Sequence, residues 1–546
     1  MRRQFITCVL LLLLNGFAIQ VTISQDLDGP RKPPKDWHLK DPEQNRVQGI
    51  SAERAYETVL KNQPSRTVIV AVIDSGVDIE HEDLKDVIWT NEKEIAGNGI
   101  DDDNNGYVDD VHGWNFIGGK NGNVNEDTSE LTREYVRLMA KYDGIEEKKV
   151  PKRDREEYAQ YEKIKKKYEA LLDKNAEQYE LYSTLYENVA QSVDTLSSLL
   201  QTDSLTQEAI KNFETSDPTL LFSKGMVLNI YKNIGPDESI EDFLSQLKEA
   251  TTYFGQVVNY GYNKDFDPRS IIGDDYSNFY ERVYGNNDVT GPDAMHGTHV
   301  AGIIGANRKN DIGINGIADN VRIMSVRTVP NGDERDKDVA NAIIYAVDNG
   351  AHVINMSFGK SLSPQKEVVD KAVKYAEQKG VILVHAAGND SDNIDEKVNY
   401  PSRFYLNGKE AKNWIEVGAS SWGADKDFVG SFSNYGKKSV DLFAPGVSVY
   451  STTLDDTYRN QDGTSMASPV VTGVVAVILS YFPEFTTQEV IDVVLQSTRK
   501  FDNLSISRPG GKGEVEFAEL SKTGGLINMY EAVRLARELK TQRLVK

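Results

Sequence analysis

The chain has 546 residues, of which 39% are hydrophobic and 9% aromatic; that is enough apolar surface for a packed core, so wholesale disorder is excluded. Lys and Arg total 62 against 84 Asp and Glu, a net charge of −22, which repels phosphate backbones and anionic lipid and excludes nucleic-acid binding. Cys8 is the single cysteine, so neither a disulfide framework nor a thiolate zinc site is available.

Residues 1–25, MRRQFITCVLLLLLNGFAIQVTISQ, place Arg2 and Arg3 before an apolar run, with the small residues Thr22 and Ser24 before a cleavage point. That pattern predicts a signal peptide and an exported chain, periplasmic or extracellular. Its unbroken run is shorter than the roughly 18 residues of a membrane span, Cys8 falls within it, and no later segment reads as transmembrane. Residues 26–127 are polar at first, with a short helical pattern at 51–62, then reach the β-branched run TVIVAVID at 67–74. Similar runs recur at 321–329, 351–358, 381–388 and 414–420, alternating with helical patterns at 339–350 and 364–380 that each end at glycine. Buried strands alternating with helices predict an α/β unit, a mainly parallel sheet between two helical layers. Its ligand crevice should lie at the carboxyl ends of the strands.

Residues 128–270 break the rhythm. Tyr158, Tyr161, Ile164, Tyr168, Leu172, Tyr179, Tyr182, Leu185, Val189, Val193, Leu196 and Leu200 are spaced for one long helix with a single apolar seam. At 1.5 Å per residue such a helix reaches on the order of 65 Å. A second helical pattern follows at about 238–256. This stretch is read as an all-α insertion and a surface for a partner, with residues 271–546 resuming the α/β unit.

Three segments carry chemistry: VIDSGVD at 72–78, HGTHVAGIIGA at 296–306 and GTSMASPVVTGVVAVIL at 463–479. Singly, Asp74 can be a strand-end or cap carboxylate, His296 a helix-start residue and Ser465 an N-cap. Together they describe a nucleophilic hydrolase, because a serine hydroxyl needs a neutral imidazole to take its proton and a carboxylate to orient that imidazole. The helix after Ser465 is apolar on nearly every side and must be buried, which points its positive end at the nucleophile. Asn389, ending VHAAGN, offers an amide donor for an oxyanion beside the Ser465 N–H.

These residues resemble the subtilisin-like serine proteases, whose chain order Asp, His, Ser is a known one. The resemblance rests on DSGVD, HGTHVAG, AAGN and GTSMASP, and covers 65–120 and about 285–500. It implies a subtilisin-like three-layer α/β fold, with residues 26–127 and 271–546 forming one catalytic domain, and a secreted endopeptidase acting on proteins or peptides through an acyl-enzyme. Asp74 would orient the imidazole, His296 act as general base, Ser465 as nucleophile and Asn389 as oxyanion donor; His299 would be structural. Ser357, Phe358 and Gly359 resemble the strand that pairs with substrate backbone. Asn399, before Tyr400 and Pro401, corresponds to the base of the main side-chain pocket, where a polar residue favours small or medium side chains. The closing helix of the family falls at 524–533 and beyond, with no room for an accessory C-terminal domain.

Two departures stand out. Asp74 and His296 are 222 residues apart, which the fold tolerates if the insertion leaves and returns at neighbouring points. Residues 26–66 are too few for the usual pro-domain, so either folding needs no such chaperone or the helical insertion partly serves. Rival readings are an inactive scaffold whose helical arm docks a partner, and an ester or lipid hydrolase. The intact Asp74, His296, Asn389 and Ser465 disfavour the first, and the GTSMA setting of Ser465 disfavours the second.

The loop NGIDDDNNGYVDD at 98–110 sets Asp101, Asp103, Asn105 and Asp109 at calcium-loop spacing, with His112 where a closing Glu would stand. A structural calcium ion is expected there, completed by Asp110 or a distant carboxylate; the alternative is an Asx-rich turn. Asp274 and Asp275, with Asn286, Asn287, Asp288 and Asp293, are a second candidate for sharing an ion. His38, His81, His112, His352 and His385 are read as structural.

Overall fold

The computed structural model describes residues 32–202, 204–234 and 239–545; the expected signal peptide lies outside them. In chain order, β1 is Val68–Asp74 and β2 Gly113–Asn115. Helices α1 (Glu130–Tyr142), α2 (Arg155–Leu200), α3 (Pro218–Asn233) and α4 (Ile240–Gln256) follow. Then come α5 (Met295–Gly305), β3 (Val321–Arg327), α6 (Asp336–Asp348), β4 (Val353–Met356), α7 (Lys366–Lys379) and β5 (Ile382–Ala386). The rest comprises β6 (Trp414–Ser420), β7 (Leu442–Pro445), the hairpin β8 (Val449–Thr453) and β9 (Thr457–Gln461), α8 (Thr464–Tyr481), β10 (Arg499–Lys500), β11 (Gly525–Leu526) and α9 (Met529–Val545).

Nine strands form one sheet in the order β10-β11-β7-β6-β5-β4-β1-β3-β2. Every neighbouring pair is parallel except β10 with β11. Along β1, Val68, Val70 and Val72 join the core beneath α5, α8 and α9, while Ala71 and Ile73 join the core beneath α6 and α7. A strand covered on both faces cannot alternate apolar with polar, which is why its sequence reads as an unbroken apolar run. The fold is therefore the expected three-layer α/β arrangement. Helix α8 is long and apolar enough to cross a membrane by length and composition, yet it is almost wholly buried. It lies against β4, β5, β6, β7 and α5.

The helix expected at 51–62 is shorter, Ala52–Glu57. The long helix is present as α2, 46 residues, but its seam serves two cores instead of one. Tyr161, Ile164 and Tyr168 pack with Leu131, Tyr135, Leu138 and Tyr142 of α1, and the Tyr135 and Tyr168 rings stack 4.3 Å apart. Farther along, Val189, Val193 and Leu196 pack with Met226 and Val227 of α3 and Ile240 and Leu247 of α4. No one partner helix is long enough to cover 46 residues, so the seam is shared. Helix α4 starts at a capping box, Ser239 with Asp242.

His38 sits in the N-terminal segment, 1% exposed, and neither ring nitrogen has a hydrogen-bond partner. Burial pushes its pKa down to about 4, and that of fully buried His299 down to about 3. An unfolded chain takes up these protons near pH 6.5, before the folded chain does. Stability should thus fall as pH drops from about 6.5 toward 4, by about 1.4 kcal/mol per pH unit for each group. Thermal melts at pH 7.5, 6.0 and 5.0 test this: His38→Leu should lose less Tm across that range than wild type, and equal slopes would contradict the assignment.

Candidate active site

Three neighbouring strands end at one crevice: β1 at Asp74, β4 running into Ser357–Gly359, and β5 running through Ala386 to Asn389. Helix α5 brings His296 to the first of them, with Nδ1 2.7 Å from Asp74 Oδ1. Asp74 is 1% exposed; its Oδ1 also accepts from the Ser75 N–H at 2.8 Å, while Oδ2 has no partner. The helix can lie this close because residue 297 is glycine. A Cβ there would stand 2.0 Å from the Gly76 carbonyl oxygen and 3.1 Å from Asp74 Cβ. Burial disfavours the imidazolium, but the Asp74 charge and hydrogen bond, helped by Asp293, outweigh it and raise the His296 pKa above its ordinary value. With Nδ1–H donating to Asp74, the Nε2 lone pair is left to accept a proton.

Ser465 is the second residue of α8. Its hydroxyl donates to the Ser357 carbonyl at 3.1 Å, and the Ser357 hydroxyl lies 2.9 Å from the Ser465 carbonyl and 2.8 Å from Ser468 Oγ. Among the described residues no hydrogen bond joins Ser465 Oγ to His296; such bonds are often loose without substrate. Asn389 Oδ1 accepts from both the N–H and the hydroxyl of Thr464, each at 2.9 Å. That turns Nδ2 toward the same space as the Ser465 N–H. A Cβ on Gly463 would sit 3.5 Å from Ser465 N and 3.6 Å from Asn389 Nδ2. A first-turn amide has no carbonyl partner within its helix, so the two N–H groups can converge on one anion. Thr464 stands inside GTSMASP but is given no role by the sequence reading; its place between Gly463 and Ser465 is the signal that could have found it.

Asn399 lies between the Ser357–Gly359 segment and the end of β5. Its Nδ2 donates to the carbonyls of Ala386 and Ala387 at 3.3 and 3.2 Å, and a Cβ at Gly359 would be 2.6 Å from its amide. The Phe358 carbonyl faces His385 Nε2 at 2.8 Å, and His385 Nδ1 faces Glu416 at 2.8 Å. His81, His112, His299 and His352 each have a ring nitrogen on a backbone group.

In the acidic loop, carboxylate oxygens of Asp101 and Asp103 gather with one from Glu94, all within 4.8 Å of one another. Glu94 is not part of the expected set: it precedes the loop, and only the turn at 95–100 carries the chain back to it. Its carboxylate accepts from the amides of Asp102, Asp103 and Asp109. Asp109 and Asp110 are not part of that trio. Asp109 accepts from the Asn98 and Gly99 amides, and Asn105 Oδ1 from Tyr107 N–H. Asp110 holds Tyr345, Asn91 and Asn105, and burial pushes its pKa up to about 6. The second candidate, at Asp274, needs correction. Its carboxylate is fully buried against Arg269 at 2.6 Å and Lys337 at 2.5 Å, so protein cations occupy the place an ion would take.

Asp74→Asn removes the charge that favours the imidazolium and is expected to lower the His296 pKa. An NMR titration of the His296 ring nitrogens checks this, and an unchanged midpoint would refute the electrostatic account.

The family model described as Subtilase family matches residues 65–513. The chain is similar to the thermophilic serine proteinase of Bacillus sp. (strain AK1), 37% identical over 280 residues, which span 49% of this chain and 63% of that protein. It is 38% identical over 199 residues to subtilisin DY of Bacillus licheniformis, covering 36% and 67% of the two chains. It is 40% identical over 186 residues to thermitase of Thermoactinomyces vulgaris, covering 34% and 61%. The chain thus spans 61–67% of the length of these relatives, while the family match runs from just before β1 to beyond β10 and encloses Asp74, His296, Asn389 and Ser465. The chain belongs to the subtilase family.

Proposed function

We propose that the chain is an exported serine endopeptidase. The observation that carries this reading is the buried Asp74 carboxylate 2.7 Å from His296 Nδ1, at the crevice where Ser465 opens α8. Ser465 gives its hydroxyl proton to His296 Nε2 as its oxygen attacks the substrate carbonyl. The negative charge that develops on the substrate's carbonyl oxygen as its C=O bond opens is met by the Ser465 N–H and Asn389 Nδ2. The imidazolium, steadied by Asp74, then protonates the leaving amine, and water activated by the same His296 releases the acyl group from Ser465. Extended substrate backbone pairs with Ser357–Gly359, and Asn399 closes the pocket beside it. Export is supported by the pattern of residues 1–25, and protein or peptide substrates by the named relatives, a proteinase among them.

A structural calcium ion belongs to the same reading. Glu94, Asp101 and Asp103 offer only oxygen donors, the ligand type a hard cation takes. Such an ion would hold the loop and take no part in the chemistry.

Incubation with a fluorophosphonate should add one adduct to wild type and none to Ser465→Ala, read by intact mass. Casein hydrolysis by the variant should fall by about 10³-fold or more; a folded wild type that stays unlabelled would refute the proposal. Chelation by EGTA should lower the Tm, added calcium should restore it, and Glu94→Gln should blunt both responses. A Tm indifferent to chelator would remove calcium from the account.

A further inference from the structure

Lys360 directly follows Gly359, and its backbone N–H and C=O pair with the C=O and N–H of Tyr400, each at 2.9 Å. Tyr400 directly follows Asn399, so Lys360 is the corner at which the two walls of the proposed pocket are joined. The ammonium is 1% exposed. It meets three oxygens, Glu130 Oε2 at 2.7 Å, Asp336 Oδ1 at 2.9 Å and the Glu334 carbonyl at 2.7 Å. An ammonium has three hydrogens, so this one is saturated and fixed in direction.

Glu130 is the first residue of α1, the first helix of the long helical segment. Its carboxylate also takes Arg133 at 2.8 Å, and its backbone N–H donates to Asp333 Oδ2 at 2.8 Å. Leu362, two residues past Lys360, packs on the core that α1 shares with α2. Burial would raise the Glu130 pKa, but Arg133 and Lys360 hold it down at about 2. Burial pushes the Glu334 carboxyl up to about 8 against the pull of Lys360. The two carboxylates paired with Lys360 are Glu130 and Asp336.

We infer that Glu130 is a positioning residue for substrate binding, acting through Lys360: the helical segment anchors the corner that sets Ser357–Gly359 against Asn399 and Tyr400. This rests on the endopeptidase reading above. An amide at position 130 leaves Lys360 with one charged partner and frees the corner, without touching Asp74, His296 or Ser465. Extended substrates, which use both walls, should lose affinity, while chemistry on a small phosphonate should not change.

The test compares wild type, Glu130→Gln, Lys360→Met and the double variant, each titrated with fluorophosphonate and assayed on a fluorogenic casein-derived peptide. Glu130→Gln should raise KM at least fivefold, with kcat per labelled site and the labelling rate within twofold of wild type. Lys360→Met should do the same, and the double variant should match Lys360→Met, because Glu130 acts through that ammonium. An unchanged KM, a loss confined to the labelled fraction, or KM increases that multiply in the double variant would each overturn the inference. If Glu130→Gln gives no soluble protein, Lys360→Met decides alone, since Glu130 then keeps Arg133 as its partner and Asp336 keeps the Ser363 hydroxyl and the Gln365 N–H. Wild type that fails to label would overturn the endopeptidase reading and this inference together, whereas normal labelling with unchanged KM would overturn this inference only.

Discussion

The burial of α8 is the constraint on which the site depends. A helix apolar on almost every side can be satisfied only with sheet on one flank and helices on the others, and α8 takes that place against β4, β5, β6, β7 and α5. Once it is there, its first turn must emerge at the carboxyl ends of β4 and β5. Thr464 then ties the helix start to Asn389 at the end of β5 through two hydrogen bonds of 2.9 Å. Ser465, its N–H, Asn389 and the positive end of the helix dipole are thus aligned by the apolar packing of α8. Gly297 does the corresponding work for His296, since no side chain fits between α5 and the Gly76 carbonyl.

The long excursion between Asp74 and His296 leaves this arrangement intact because its two legs are clamped together. The Ser129 N–H and the Thr132 hydroxyl both donate to the Gly261 carbonyl, at 2.8 and 2.7 Å. The Arg335 guanidinium holds Asp127 on the outgoing leg at 2.7 Å and Asp267 on the returning leg at 2.8 Å. Arg269 bridges Asp274 and Asp338, each at 2.6 Å. Apart from the exposed Asp267 these charges are buried, and burying charge is costly unless each has a partner. Here they are paired, and the start of α6 supplies one half of the socket. A buried pair is weak evidence for stability, but these pairs fix which side chains meet where the two legs enter and leave the α/β unit.

Much of this arrangement is legible in the amino-acid sequence. The β-branched runs ending at Asp74 and at Asn389, the glycine-rich start of α5 and the wholly apolar α8 each predict their element, and their alternation predicts the layered sheet. The signal is strong because burial on both faces of a parallel strand leaves no room for polar residues. The acidic loop is only half legible: Asp101 and Asp103 meet, but their third carboxylate is Glu94, and Asp109 instead accepts from the amides of Asn98 and Gly99. Spacing within a loop says little about which oxygens converge when backbone amides compete for the same carboxylates.

By itself the amino-acid sequence determined the fold class, the order of the elements and the four chemical groups of the crevice, since these follow from local periodicity and from residue types at strand and helix ends. Tertiary structure alone decided how the seam of α2 is divided, that Asp274 faces Arg269 and Lys337 instead of an ion, and that Glu130 reaches Lys360. The physical reason is sequence distance. Glu130 and Lys360 are 230 residues apart, and a lysine and a glutamate read alone are solvated surface residues. Only when the sheet, α1 and α6 have closed around them does desolvation make each the necessary partner of the other.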